Sequence, residues 1–317
     1  MKDRTGAPSD RPPRRRFGNV LFVPLATRGN AAALRRVVSF VRRDDAELTV
    51  VGVIPEPSHF QRLLHGSDHV DAVLTASHRD MHRRLARCVN AVEGLEASPI
   101  IDVGDTTLAV VMRAIAARHD LLVVTSDGGH GDRATLRRLI RKSPCPVWVI
   151  RPTRAAHVRV LAAVDPEPYE QGLNQSILEI ADSMAVTDDA ELHVACAWEL
   201  FGEATMQSSA FVHVDPGEID RQRREVETAH RRAVDELVDR HVTHAGVVET
   251  HVVSGSAATV IADLVEHERI NLVVMGTFGR KGISGLVMGN TAEVALDELR
   301  CSVLAVKPPD FVSPIHE

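Results

Sequence analysis

The chain is written twice, and that constrains its fold more than any other feature. Val20-Leu21 in NVLFVPL returns as Val160-Leu161 in RVLAAVD, an offset of 140 residues. AELTVVGVI (from Ala46) returns as AELHVACAW (from Ala190) at an offset of 144. VGDTTLAVV (from Val103) matches SGSAATVIA (from Ser254), and DLLVVTSDG (from Asp120) matches NLVVMGTFG (from Asn271), both at 151. SPCPVWVIRP (from Ser143) matches LRCSVLAVKP (from Leu299) at 156. Collinear matches whose offsets only rise are what a duplicated domain with loop insertions leaves behind.

Within each copy, short β-branched runs alternate with longer helical patterns. Runs with few polar interruptions suit strands buried on both faces. Val260, Ile261, Leu264 and Val265 fall on one helical face, with Ser256 placed to cap that helix; Ile177, Ile180, Ala181 and Met184 form another such face. Strand alternating with helix implies right-handed crossovers and a parallel sheet. The expectation is α/β: two tandem doubly wound, Rossmann-like domains of five strands each. Their boundaries are set at 17–152 and 153–309, with a disordered basic arm at 1–16 and a tail at 310–317. Pro144 and Pro146 mark the last strand of the first copy as an edge. Val147 to Ile150 and Val303 to Val306 are then free to pair with each other, forming an intrachain pseudo-dimer.

Composition narrows the function. Formal charge is −6, and residues 1–16, with six basic and two acidic side chains, leave −10 for the rest. An acidic body opposes binding driven by phosphate neutralisation, and aromatics at 3% supply no stacking platform for single strands. Nucleic acid is therefore not an expected partner. No apolar run approaches the ~18 residues that span a bilayer, so no membrane partner is expected either. Arg14-Arg15-Arg16-Phe17 has a twin-arginine flavour, but the apolar run behind it is short and is claimed by the repeat as a strand; the expected location is cytoplasmic. Cys88, Cys145, Cys196 and Cys301 lie far apart without metal spacing and read as structural thiols. His78 with His82, and His241 with His244, have helical spacing; with no carboxylate or thiolate motif nearby they read as solvated helix faces, and no metal site is expected.

Chemistry in an open parallel sheet sits beyond the carboxyl ends of the strands. There the second copy reads MGTFGRKGISGLVMGNTAE, with Gly276, Gly279 and Gly289 ahead of a helical pattern from Asn290. A glycine loop feeding a helix amino terminus offers uncrowded N–H groups and a favourable dipole, which suits a phosphate chain. Taken alone, the glycines also suit a tight connection, and Asn290 with Glu293 also forms a capping box. No Walker A loop is present.

The Gly276-x2-Gly279-x9-Gly289 spacing resembles the G-x2-G-x9-G-[S/T] signature of the nucleotide-binding universal stress protein family. From about residue 17 to 312 the chain resembles its tandem-domain, E-type members, including DPEPYEQGLN, GISGLVMGNTAE, LRCSVLAVKP and KSPCPVWVIRP. The resemblance implies a stress-response regulator or sensor that binds an adenine nucleotide, ATP with or without Mg2+. It implies that Asp165 contacts the adenosine part; alone, Asp165 reads as an Asp-Pro turn. It places Val194 at the adenine edge, and Met275 to Gly279 with Gly289, Asn290 and Thr291 around the ribose and phosphates. Asn290 stands where the signature has Ser or Thr, so a hydroxyl is lost while the backbone N–H remains.

No catalytic constellation stands at the strand ends, and no enzyme is expected. Leu200 to Asp215, with Met206, Phe211, Val212 and Val214, is apolar enough to line a pocket. It keeps open a carrier or sensor of an acyl or lipid-like ligand, and an interaction protein with a vestigial site. The first copy has Thr125 for Gly276 and Leu25 for Asp165, keeps Gly128, and lacks five residues of the loop. Nucleotide is expected in the second copy only.

Overall fold

In a computed structural model, residues 16–58, 60, 62, 64, 67–152, 157–167, 170–208, 214–277 and 289–315 are described. The basic arm, bar Arg16, therefore lies outside the described residues, as do Gly279, Phe211 and Val212. Each copy supplies five strands. The first gives β1 (Asn19–Val23), α1 (Asn30–Asp44), β2 (Glu47–Ile54), α2 (Ser67–Asn90), β3 (Ile100–Val103), α3 (Thr106–Ala116), β4 (Leu121–Thr125), α4 (His130–Lys142) and β5 (Val147–Ile150). The second gives β6 (Arg159–Ala163), α5 (Gln171–Asp188), β7 (Glu191–Trp198), α6 (Glu203–Ser208), α7 (Pro216–His241), β8 (Val248–Ser254), α8 (Ala257–His267), β9 (Leu272–Gly276), α9 (Asn290–Glu298) and β10 (Ser302–Val306).

The described residues of Arg14–Arg154, Thr277–Gly289 and Arg300–Glu317 form one compact unit, and those of Ala155–Gly276 and Asn290–Leu299 a second. In the first unit the strands run β3-β2-β1-β4-β5, all parallel, with β10 added beside β5. β10 is antiparallel there, pairing Val303 with Val149, Leu304 with Trp148 and Ala305 with Val147. β5 is thus not left as an edge. The prolines precede its first ladder residue, so they remove no ladder N–H. In the second unit β9-β6-β7-β8 are parallel, the same order as β4-β1-β2-β3.

β4 and β5 are buried along their whole length, as continuous apolar runs covered on both faces must be. Ile177, Ile180, Ala181 and Met184 of α5 are all buried. On α8, Val260 and Ile261 are buried while Leu264 and Val265 are only half-buried. Caps recur at the repeat offset: Asp105 accepts from the Leu108 N–H at the start of α3, and Ser256 from the Thr259 N–H at the start of α8. α7, entered through Pro216 with Asp215 as its cap, packs on β7 and β8, where His230 stacks on Trp198 at 6.2 Å. All four cysteines are buried and unbridged; burial pushes the thiols of Cys88, Cys145 and Cys301 up to about 11. No helix of the described residues is long and apolar enough to cross a membrane.

Candidate functional site

β6 ends at Ala163, level with Ala195 of β7 and Met275 of β9. Asp165 follows two residues on, past the strand ends. Its backbone is held from both sides by Asn174 of α5: the Asp165 N–H donates to Asn174 Oδ1 at 3.0 Å, and Asn174 Nδ2 donates back to the Asp165 carbonyl. Asn174 is buried, so this brace fixes the direction in which Asp165 leaves the strand. Met275 is buried, and Gly276 is the last residue of β9. A Cβ on Gly276 would come within 2.8 Å of Leu173 Cδ2, in the first turn of α5. Asp165, Met275 and Gly276 therefore gather at one rim.

Val194 does not join them. It is fully buried within the ladder, opposite Ala162. Continued past Ala163 and Ala195, the register sets Ala197 level with Asp165, so Ala197 is the β7 residue nearest that rim. Sequence reasoning missed it because VACAW, the stretch from Val194 to the strand end, offers no charged residue to fix the register.

The connection after β9 closes at its neck, the Gly289 N–H donating to the Thr277 carbonyl at 2.9 Å. That N–H is already used. α9 follows at Asn290, and its first N–H groups, Asn290 and Thr291 among them, have no carbonyl four residues back within the helix. A helix amino terminus of this kind is where an anion is received, aided by the helix dipole. α9 packs on α8 through an apolar face that includes Ala292, Ala295 and Leu296.

The first copy arranges the corresponding rim differently. Thr125 stands for Gly276, and its hydroxyl accepts from the Ala26 N–H at 3.0 Å and donates to Asn30 Oδ1 at 2.6 Å. Asn30, the counterpart of Asn174, donates to the Ala26 carbonyl at 2.8 Å. Beyond it the Thr27 N–H reaches Asp127 Oδ2 at 2.6 Å, and the Thr27 hydroxyl bonds the same oxygen, holding the Asp127 carboxyl below its ordinary range. Side chains thus bridge the loops after β1 and β4.

Elsewhere, Phe201 is 97% exposed ahead of α6, whose Glu203 pairs with Arg223 of α7. A shallow groove along α7, lined by Arg221, Arg224, Thr228 and Arg232, faces solvent rather than the strand ends. The histidine expectation needs correction: α7 stops at His241, so His244 is not on that helix, and its Nδ1 meets buried Asp182 at 2.9 Å. Among the described residues, the His, Cys, Asp and Glu side chains close enough to share a metal ion are His193, Glu249 and His251. The legible signal was Glu249-x-His251, whose period of two puts both side chains on one face of a strand.

The family model described as "Universal stress protein family" matches residues 19–151 and again 157–307. The chain belongs to the universal stress protein family. Among curated relatives, this universal stress protein is 27% identical over 220 residues to universal stress protein E of Escherichia coli K12, covering 66% of this chain and 67% of that one. It is 28% identical over 219 residues to the Salmonella typhi protein of the same name, covering 65% and 67%. A solved protein of unknown function from Pseudomonas aeruginosa PAO1 superposes with a TM-score of 0.66 at 22% identity, over 93% of this chain and 94% of that one. A universal stress protein from Archaeoglobus fulgidus gives 0.61 at 18% identity, over 93% and 97%. These two structures share the tandem α/β fold with this universal stress protein.

Proposed function

We propose that this universal stress protein binds one adenine nucleotide, ATP, in its second copy and acts as a cytoplasmic regulator or sensor rather than a catalyst. The observation that carries this reading is the order at the end of β9: a glycine closing the strand beside Asp165, a glycine-spaced connection, then the amino terminus of α9. Asp165 would meet the adenosine part, with Ala197 in the place first assigned to Val194. Met275 and Gly276 would flank the ribose, and the N–H groups of Asn290 and Thr291 would face the phosphates, with Gly279 and Gly289 keeping the backbone uncrowded. Mg2+ would accompany the phosphates. Small molecules released from the purified protein, read by mass spectrometry, test this directly: adenine nucleotide supports it, and an acyl compound in its place supports a carrier instead. Exposed Phe201 and half-buried Met206 are what favour that second reading.

Turnover is expected to be negligible. Phosphoryl transfer draws its rate from a positioned metal and a base or water-orienting side chain, and in this reading the carboxylate of Asp165 lies at the adenosine part rather than at the phosphates. Phosphate release near ~1 s⁻¹, an ordinary enzymatic rate, abolished by Asp165→Ala, would contradict the regulatory reading.

A further inference from the structure

We propose that His193, Glu249 and His251 form a binding site for a divalent transition-metal ion, Zn2+ or a cation of the same borderline class, on the outer strands of the second unit. β7 and β8 are parallel, with His193 opposite Glu249 and Ala195 opposite His251. The alternation of strand side chains therefore puts all three residues on one face of the sheet. The two imidazole rings lie nearly parallel, 13° apart with centroids 5.2 Å from each other. His193 Nδ1 stands 2.9 Å from His251 Nε2 and 3.9 Å from a Glu249 carboxylate oxygen, and all three donor atoms fall within 4.8 Å of one another. Two nitrogens on one tetrahedral Zn2+ sit about 3.4 Å apart, given Zn–N bonds of about 2.0–2.1 Å. Small ring rotations bring this trio to that spacing.

A hydrogen bond between the two rings accounts for His193 Nδ1 and His251 Nε2 but not for the Glu249 and Glu191 carboxylates set around them. His193 is 2% exposed, and its Nε2 has no hydrogen-bond partner. A ring-to-ring hydrogen bond leaves that buried nitrogen without a role. An ion taken by Nδ1 fixes the proton on Nε2, on the side of Glu191 Oε2, which at 3.9 Å comes within hydrogen-bond reach only once the ring turns toward the ion. Glu191 is itself held by Arg159 Nε at 2.7 Å. A carboxylate behind the outer nitrogen of a ligating histidine is the usual way such a ring is oriented. Two imidazoles with one carboxylate suit Zn2+, Co2+ or Ni2+ rather than Mg2+ or Ca2+.

Entry is open, because β8 ends the strand order and the Glu249 side chain is 58% exposed. The three ligands leave a fourth position for water. This place is separate from the nucleotide rim: Ala197, level with Asp165, is four residues beyond His193, about 13 Å along the strand.

The test uses the full chain, stripped with a chelator and titrated with Co2+ alone, then with Zn2+ as competitor. The expected result is a visible absorption band of tetrahedral or five-coordinate Co2+ saturating at one ion per chain, bleached by Zn2+. His251→Gln and Glu249→Gln should weaken uptake at least tenfold, and Zn2+ should raise the thermal midpoint of the parent but not of these variants. Glu249 is exposed on an outer strand, so Glu249→Gln keeps the fold and makes the comparison valid if His251→Gln does not. Failure of the parent to take up Co2+, or equal uptake by the parent and Glu249→Gln, would overturn the assignment.

Discussion

Lys307 carries an ammonium group into a nearly closed place just past the end of β10. It is 7% exposed, donates to the Ile140 carbonyl and lies 4.1 Å from the centre of the Phe311 ring. Burial pushes its pKa down to about 7, the nearby Cys145 opposing the shift. The unfolded chain keeps the ordinary value of 10.5, so at any pH between the two it binds a proton that the native state does not. Stability tied to this group therefore falls as pH drops from 10.5 to 7 and levels off below. The buried thiols pull the other way only above their ordinary 9.0, where the unfolded chain ionises first. The clean window is pH 7 to 9. Lys307→Met should raise the thermal midpoint at pH 7 and flatten its slope across that window. A lower midpoint with the slope unchanged would show that the ammonium is a net stabiliser.

The duplication extends to backbone conformation within elements. Asp45 after α1 and Asp189 after α5 both adopt left-handed φ, at 49° and 48°; Arg118 and Arg269 past α3 and α8 are both at 54°. The corners leaving β3 and β8 use Gly104 at φ 144° and Gly255 at 141°, a region nearly closed to residues with a Cβ. Gly104 has open space where a Cβ would go, whereas at Gly255 it would meet Val260 Cγ2 at 3.3 Å. Gly104→Ala and Gly255→Ala should each destabilise by about 1–3 kcal/mol in urea unfolding, from backbone strain. Gly255→Ala should be the worse; a neutral Gly104→Ala would contradict this account of the corner. The alternation of strand and helix, the buried face of α5 and the cap at Ser256 were legible in the sequence because each is a local pattern; the Asp105 cap, its counterpart at the repeat offset, went unread. The register of β7 was not legible either. Apolar runs buried on both faces carry no alternation to phase them, so Val194 was chosen where Ala197 stands level with Asp165. The His193–Glu249–His251 cluster was hidden for a related reason: parallel pairing joins residues 56 and 58 positions apart, and only Glu249-x-His251 is local.

At the scale of the molecule, β10 belongs by sequence to the second copy and by packing to the first unit. Its hold there goes beyond the ladder: Arg151 donates to the Cys301 carbonyl at 3.0 Å, and Ser313 to the Lys142 carbonyl at 2.7 Å. Removing residues 300–317 should uncover the β5 edge, lower the thermal midpoint and promote association between copies. A truncated chain that stays monomeric with an unchanged midpoint would refute the structural role given to β10. The sequence anticipated that the two last strands would pair; how the compact units divide the chain was not readable, because chain order does not record which neighbour a closing strand chooses. The two copies differ at the rim: one is bridged by Thr125 and Asp127, and the other has Gly276 where Thr125 stands. Calorimetric titration of the full chain with ATP tests most directly the claim that only the second binds nucleotide. The account predicts one nucleotide per chain, affinity lowered at least tenfold by Gly276→Val or Gly289→Val, and affinity unchanged by Gly128→Ala. Two nucleotides per chain, or loss of binding from Gly128→Ala alone, would contradict it.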